Sequence, residues 1–530
     1  MKFLYVLAIL AVFSSCDDSS EINTCGDGVT DPSEECDLTT QETCQSLGYV
    51  TGNVTCGTDC KLIVNCQGRC GNGDLDDGEE CDGTIMPETL CSDLDDEYVS
   101  GNLSCNSECK FDTGECLTAG CGNGVVDGIE ACDGTNLDGK DCSDYGFSAG
   151  TLSCSNCQAV TDECYHVFET LKAGAGHMCA LDFNGHAWCW GNNEYGQIGD
   201  GTITTDRTVP TAVAMPEDVT FVQIAPGGAH TCALDNNQKI WCWGANNMGQ
   251  VGNGEGGSGE VSLEPTLIAP LDDADFLSVS SGAFHSCGVM TTGGVLCWGG
   301  NGQKQISNFS GGFAVTPYQI PGISTSVIVE AGGYFNISTN PSGSMIGWGQ
   351  NTRGQLGLET PTTVITPNPI MLGNVDIISC GGFHTCIIDT NSLAACWGDN
   401  SFGQLGSGLT TPVFSYMPVE LDLPSGVTIT TIEAGGESHT CALTDDFRIM
   451  CWGDNEYGQL GDGYTDDRLS PTFINQEMGL QFISVAPASR STCTLDSSGH
   501  AWCWGDNEFG QLGINSVSPS LVPVQVIMPR

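Results

Sequence analysis

The sequence predicts an all-β fold in which seven repeated units close radially, preceded by three small disulfide-rich modules. Three observations predict it. The motif Trp-Gly-x-Asn-x-x-Gly-Gln-aliphatic-Gly occurs seven times, beginning at Trp190, Trp243, Trp298, Trp348, Trp397, Trp452 and Trp504, with separations of 49 to 55 residues. Such a period marks one supersecondary unit repeated, and the unit cannot bury its apolar face alone. Within a copy, short β-branched and aromatic runs alternate with Gly, Asn and Asp clusters, as in 221–244, and no segment has helical periodicity. Radial closure suits such units because it leaves only short, protected edges. Third, the cysteines are periodic: eighteen fall between Cys25 and Cys164, and twelve form six pairs in the repeats.

The chain opens with Met1-Lys2 and an apolar run from Phe3 to Phe13. The run is too short to span a bilayer and reads as a secretory signal. Its end, Phe13-Ser14-Ser15-Cys16, resembles a bacterial lipoprotein cleavage site, although that family favours Leu where Phe13 stands. The resemblance implies lipid attachment at Cys16, a signal peptide over 1–16 and a linker over 17–24. Secretion after ordinary cleavage nearby is the alternative. Even, periodic cysteines in an exported chain indicate disulfides.

Residues 25–69, 70–120 and 121–164 form three modules of six cysteines each. Their opening phrases align as CGDGVTDPSEECD, CGNGDLDDGEECD and CGNGVVDGIEACD. Modules this small cannot build a sufficient core and need covalent staples. Six cysteines allow fifteen connectivities, and spacing does not choose among them. The segment resembles the cysteine-rich repeats of exported proteins from myxobacteria and their relatives, and reads as a stalk. Asp31, Asp37, Asp76, Asp82, Asp127 and Asp133 recur at fixed offsets beside glycines. Clustered carboxylates suit calcium; turn formation accounts for the same residues. No other cofactor is expected.

Residues 165–530 carry the seven-fold repeat. His-x-Cys-Ala-Leu and Cys-Trp-Gly-x-Asn-x-x-Gly-Gln-Leu-Gly, as in His439–Leu443 and Cys451–Gly461, resemble the repeat of the regulator of chromosome condensation family. The resemblance implies a seven-bladed β-propeller. The third copy departs most, with Lys304 and Ser307 at two glycine positions, so an altered turn is expected there.

Six cysteine pairs are each ten residues apart: Cys179 and Cys189, Cys232 and Cys242, Cys287 and Cys297, Cys386 and Cys396, Cys441 and Cys451, Cys493 and Cys503. A hairpin places such residues opposite each other, about 4.5–5.5 Å apart at Cα and within disulfide range. The fourth copy is read as replacing the pair with Ser338 and Gly347, and joint loss is what a disulfide predicts. Zinc is disfavoured, since each hairpin supplies two thiolates and zinc wants four ligands. Cys380 is left over. Alternation points each motif tryptophan away from the cysteine face and into the packing between blades. His177, His230, His285, His384 and His439 precede the first cysteine by two, with Asn336 and Ser491 read as their replacements. A hydrogen bond to a neighbouring loop tolerates that exchange; a shared catalytic base does not.

The chain has 66 acidic and 14 basic residues, a formal charge of −52. Nucleic acid and anionic lipid are therefore disfavoured partners. No nucleophile elbow, phosphate loop or HExxH appears, so no catalytic residue is assigned. The family's namesake is an exchange factor for a nuclear GTPase and binds chromatin. Neither role is expected to carry over to an exported, acidic chain with repeats of even length. The expected function is a non-enzymatic binding scaffold, exported and either lipid-anchored at the cell surface or secreted, with a protein or glycan partner. An exported hydrolase inhibitor, for which the family offers a bacterial β-lactamase inhibitor as analogy, and a purely structural envelope component are the alternatives. The motif loop varies at one position, Tyr195, Met248, Gln303, Arg353, Phe402, Tyr457 and Phe509. Of these, Tyr195, Met248, Phe402, Tyr457 and Phe509 form a candidate binding rim, since aromatics anchor interfaces; packing against the next blade is the other reading.

Overall fold

A computed structural model describes residues 130–530 apart from 270–273, 360–361 and 477–478. Ahead of them it describes 49–56, 61–69, 79–82, 89–94, 98–107 and 109–118, with residues 75, 122 and 126. The signal segment with Cys16, the linker at 17–24, and Asp31, Asp37, Asp76 and Asp127 lie outside the described residues. The chain divides into two compact units, 1–141 with 152–161, and 142–151 with 162–530.

The first unit is built of short antiparallel ribbons, Tyr49–Cys56 with Leu62–Arg69, Tyr98–Gly101 with Cys116–Thr118, and Ser104–Cys105 with Phe111–Asp112. Ribbons this short need covalent help. Cys81 is bonded to Cys105, Cys91 to Cys116 and Cys132 to Cys154. In the second unit Cys142 is bonded to Cys164. The second and third modules thus share one scheme, the second cysteine with the fourth and the third with the sixth. Asp82 and Asp133 are buried, and an Asp133 carboxylate oxygen accepts the Gly122 N–H at 2.7 Å. Its carboxylate therefore ties together two points of the chain eleven residues apart.

The second unit is a seven-bladed β-propeller. Each blade is an antiparallel meander of four consecutive strands. The blades span 168–212, 221–267, 276–319, 328–370, 375–420, 429–473 and 486–525. Blade 2 shows the pattern: Phe221–Pro226 innermost, then His230–Asp235, Ile240–Ala245 and Val261–Leu267 outermost. The two middle strands are almost wholly buried, polar His230, Thr231 and Asp235 included. All seven motif tryptophans are fully buried, each at a joint between blades. The glycine after each tryptophan sits at a bulge: Gly244 has φ +96°, and a Cβ there would lie 2.7 Å from the His230 Cα. That close approach, in a left-handed conformation, explains the repeated Trp-Gly pair.

Six blades carry a disulfide across the middle hairpin. In blades 1 to 3 Cys179 is bonded to Cys189, Cys232 to Cys242 and Cys287 to Cys297. In blades 5 to 7 Cys386 is bonded to Cys396, Cys441 to Cys451 and Cys493 to Cys503. Each pair is directly opposed in the ladder, as expected, with Cα separations of 4.1 to 4.2 Å, slightly under the expected value of about 4.5 Å. The bonded pairs pack into the inter-blade cores. Cys179 and Cys189 of blade 1 share a cluster with Trp243 of blade 2, and Cys287 and Cys297 of blade 3 share one with Trp348 of blade 4. Cys386 and Cys396 lie with Trp452, and Cys441 and Cys451 with Trp504. Cys493 and Cys503 close the ring beside Trp190.

Blade 4 corrects the sequence alignment by one residue. Trp348 pairs with Asn336, Gly349 with Phe335 and Gly347 with Ile337. The cysteine positions there are Ile337 and Gly347, not Ser338, and the histidine position is Phe335, not Asn336. A one-residue slip in a strand moves every side chain to the other face, so the register decides which residues enter the core. Blade 3 gives a second correction. Its turn is not altered: Lys304 and Ser307 adopt φ +65° and +52°, where Gly249 and Gly252 adopt +76° and +74°. The same backbone hydrogen bonds form, Lys304 N to Asn301 O and Ser307 N to Lys304 O. The surrounding ring imposes the conformation on residues that do not favour it.

Candidate interaction face

The motif builds seven rigid turns at one end of the strands. In blade 1 the Asn193 Oδ1 accepts the Ile198 N–H at 3.2 Å, and its Nδ2 donates to the Thr202 carbonyl at 3.3 Å. The Gln197 Oε1 accepts the Tyr195 N–H at 2.9 Å. All seven copies make both the Asn-to-aliphatic and the Gln-to-tip bonds. The buried amide oxygens, bonded this way, fix the loop tip without using the tip's own side chain.

The motif glutamine also joins the blades. The Gln197 carbonyl accepts the Trp243 Nε1–H and the Thr231 hydroxyl, both at 2.9 Å, from blade 2. Since the Thr231 hydroxyl donates there, its oxygen accepts from His177 Nε2, 2.8 Å away. The histidines therefore carry the proton on Nε2. They bond the next blade's second strand rather than a neighbouring loop, which corrects that expectation. The relay repeats through Ser286, Asn336, Thr440 and Thr492. Two joints lack it: from blade 4 to blade 5, where Phe335 stands for the histidine and Thr385 still donates to the Gln355 carbonyl, and from blade 7 to blade 1. At the second of these Ser491 stands for the histidine and buried Met178 for the threonine, so both relay partners change together.

Burial holds the relay histidines far below their ordinary value, to about 3 for His177, His230 and His439 and about 4 for His285 and His384. Their Nδ1 atoms find no partner among the described residues, and glycine backbone closes over the rings: a Cβ on Gly227 would lie 2.6 Å from His230 Cε1. Neutral and sealed, they are joints, not catalytic bases.

The variable tips occupy the face. Tyr195, Met248 and Phe402 are 38–39% exposed, Arg353 is exposed, and Gln303, Tyr457 and Phe509 are half-buried. Beside them, a second ring position that sequence reading passed over precedes the histidine. In blades 3 to 5 it holds Phe284, Tyr334 and Phe383, whose rings follow one another at 6.0 and 6.2 Å. In blade 7 it holds Arg490, whose guanidinium lies 4.8 Å from the Tyr457 ring centre. A one-residue offset from the recurring histidine was the available signal.

The shaft holds a polar group that the sequence did not reveal, because its members lie on different blades. Lys172 Nζ is 3.4 Å from Glu433, and the Ser379 hydroxyl donates to the same carboxylate at 2.9 Å. A cavity of about 160 Å³ joins them to Glu330 and Cys380. Burial pushes the Glu330 carboxyl up to about 7, with Lys172 opposing and Glu433 adding. Burial, then Glu330, lifts the Cys380 thiol well above its ordinary value, so this unpaired cysteine is a poor nucleophile. Glu79, Asp82 and Cys109 converge in the first unit, but Cys109 is disulfide-bonded and offers no thiolate.

Comparison with known proteins adds to this geometry. The profile of the regulator of chromosome condensation (RCC1) repeat matches residues 184–234, 237–289, 342–388, 396–443, 448–495 and 498–530. A second profile of the same description matches five segments between 169 and 459. The ultraviolet-B receptor UVR8 of Arabidopsis thaliana is 28% identical over 349 residues, covering 65% of this chain and 78% of its own. The mitochondrial RCC1 domain-containing protein RUG3 of the same plant is 27% identical, covering 67% and 68%. A probable E3 ubiquitin-protein ligase of Homo sapiens, HERC4, is 28% identical over 37% of this chain and 20% of its own length. Among solved structures, yeast RCC1 (Prp20) bound to Kap60 superposes with a TM-score of 0.58 at 22% identity, covering 68% of this chain and 85% of that one. Human WBSCR16 does so with a TM-score of 0.59 at 21% identity, covering 65% and 95%. At these identities the structures speak to the fold alone.

Proposed function

This chain belongs to the regulator of chromosome condensation (RCC1) repeat family, and on that premise we propose that it is a non-enzymatic protein-binding scaffold, exported, which recognises its partner with the motif-turn face of the propeller. The observation that carries this reading is the separation of roles within the motif. Asn, Gln, Trp and Gly are consumed in structure, while the tip residue is free to vary on a rigid platform. Rigid scaffolds with variable loop tips are how recognition is usually arranged. A protein-binding use of this fold is on record, since solved yeast Prp20 is described with binding properties to Gsp1p and histones.

Export rests on the apolar leader, on Cys16 and on the cysteine count, since disulfides persist in oxidising compartments. Lipid attachment at Cys16 would tether the propeller through the cysteine-rich modules; simple secretion leaves the face unchanged. A glycan partner, a secreted hydrolase as the bound target and a purely structural envelope role are what the test separates. Guanine-nucleotide exchange is no part of this reading.

The test is affinity capture with the oxidised full chain on envelope and culture-supernatant extracts, read by mass spectrometry, beside a variant with Tyr195→Ala, Tyr457→Ala and Phe509→Ala. The expected result is one protein captured by the wild type and lost by the folded variant. Equal capture by both, or none above a denatured control, overturns the reading. A hydrolase inhibited one-to-one would identify the inhibitor role.

A further inference from the structure

The face is not uniform around the ring, and its charges and aromatics separate by sector. Blades 6, 7 and 1 place an aromatic tip beside acids in each motif turn: Tyr457 with Asp454 and Glu456, Phe509 with Asp506 and Glu508, Tyr195 with Glu194. Blade 5 pairs Phe402 with Asp399, but that carboxylate is buried and already taken by Arg353 at 3.4 Å and the Gln404 amide; blades 2 to 4 carry Met248, Gln303 and Arg353 at the tip and no acid within the turn. Glu194, Glu456, Glu508 and Glu437 are exposed. Asp454 and Asp506 cap their turns by accepting the Glu456 and Glu508 N–H groups.

A cavity of about 270 Å³ opens in this sector, lined among others by Tyr195, Phe509, Glu194, Asp506, Arg490 and Gln511. Gln511 is only 3% exposed, its Oε1 is taken by the Phe509 N–H, and its amide nitrogen finds no acceptor among the described residues. A donor so placed is suited to a carbonyl arriving from outside. The sector also shows what cation it accommodates. The Arg490 guanidinium stacks on Tyr457 with Glu437 at 4.0 Å, a side chain of this chain in the arrangement a visiting guanidinium would adopt.

Resting on the scaffold reading, we infer that the sector formed by blades 6, 7 and 1 is the docking site for a basic peptide segment of the partner, its arginine or lysine side chains lying between Tyr195, Phe509 and Tyr457. Charge complementarity selects this occupant. Acids supply the field, aromatic faces supply short-range cation–π contact, and Gln511 supplies a donor for the peptide carbonyl. An acidic or phosphorylated partner would meet repulsion at the same place, and the net charge of −52 extends that repulsion over the molecule.

The probe is a capped, fluorescently labelled peptide of four arginines spaced by glycines, titrated against the oxidised full chain at about 150 mM salt, where diffuse attraction is screened. Glu194→Gln, Glu456→Gln and Glu508→Gln together should weaken binding about tenfold, and Tyr195→Ala with Phe509→Ala by a similar factor at unchanged net charge. Glu217→Gln, Asp218→Asn and Asp445→Asn, exposed acids at the other end of the strands, should weaken it less than about twofold. The neutralised variants keep the test valid if the aromatic variant fails to fold. Equal losses from both acid sets, or no loss from either, would sink the inference. If the peptide shows no preference for the sector while the captured partner still depends on the aromatic tips, the basic segment is wrong and the scaffold reading stands. If capture ignores those tips as well, both fail.

Discussion

Single residues carry the pH response of this molecule. The five relay histidines are neutral when folded until the pH falls to about 3 to 4. Unfolded, each binds a proton below about 6.5. The unfolded chain therefore binds more protons in that window, and the stability the histidines contribute is complete above pH 6.5 and lost as the pH falls toward 4. The limit is about 1.4 kcal/mol per histidine per pH unit. Glu330 opposes them with one proton: its folded value is raised to about 7, so what it contributes is present at low pH and lost as the pH rises toward 7. Melting temperature is expected to fall steeply from pH 6 to pH 4, and His230→Phe, the residue blade 4 uses, should make that slope shallower. A flat profile over this range would contradict the buried neutral relay. Lys304 supplies the second residue-scale prediction. Its left-handed backbone costs about 1–2 kcal/mol relative to glycine, less glycine's own entropic cost. Lys304→Gly is expected to raise the melting temperature in calorimetry; a lower one would mean the lysine stem contributes packing that outweighs the strain.

At the scale of the element, the unit is a hairpin held by a disulfide and a tryptophan that belongs to its neighbour's joint. A loop of this length gains roughly 2–3 kcal/mol in the chain-entropy model. Cys232→Ala with Cys242→Ala removes that and opens space beside Trp298 and Ile240, which share their cluster. Chemical denaturation should show a loss of at least about 2 kcal/mol, shrinking when wild type and variant are compared under reducing conditions. Blade 4 is the natural control, since Ile337 and Gly347 hold the same positions without a bond. The unit was readable in sequence because period, alternation and paired cysteines agree in six of seven copies. The fourth copy slips by one residue when aligned by sequence, since without cysteines nothing but the ladder fixes its register. The relay was half visible: the histidines were seen, but their partners lie more than fifty residues away on the next blade.

Across the whole molecule, charge sets the setting in which the chain is stable. With −52 formal charges, self-repulsion opposes compactness at low ionic strength. Raising sodium chloride from about 10 to 150 mM should raise the melting temperature, because the Debye length falls from about 30 to 8 Å. Magnesium and calcium at matched ionic strength should act alike if the acids of the cysteine-rich modules only tie the chain to itself, as the Asp133 carboxylate does at the Gly122 N–H. An extra shift with calcium alone, abolished by Asp82→Asn, would show a bound ion instead. The seam between blade 7 and blade 1 is the other whole-molecule feature. It closes with Met178 and Ser491 in place of the polar relay, and with Trp190 still donating to the Gln511 carbonyl across it.

The sequence by itself determined the repeat, the class of fold, the paired cysteines and the core tryptophans, because each is a local pattern that recurs and so states its own period. Only the tertiary structure decided what faces what. It set the register of blade 4, the partners of the histidines, the gathering of Lys172, Glu330 and Glu433 in the shaft, and the sector where aromatic tips and acids adjoin Arg490. These depend on closing the ring, which brings together residues separated by whole repeats, and no periodicity within a repeat encodes which variations will meet.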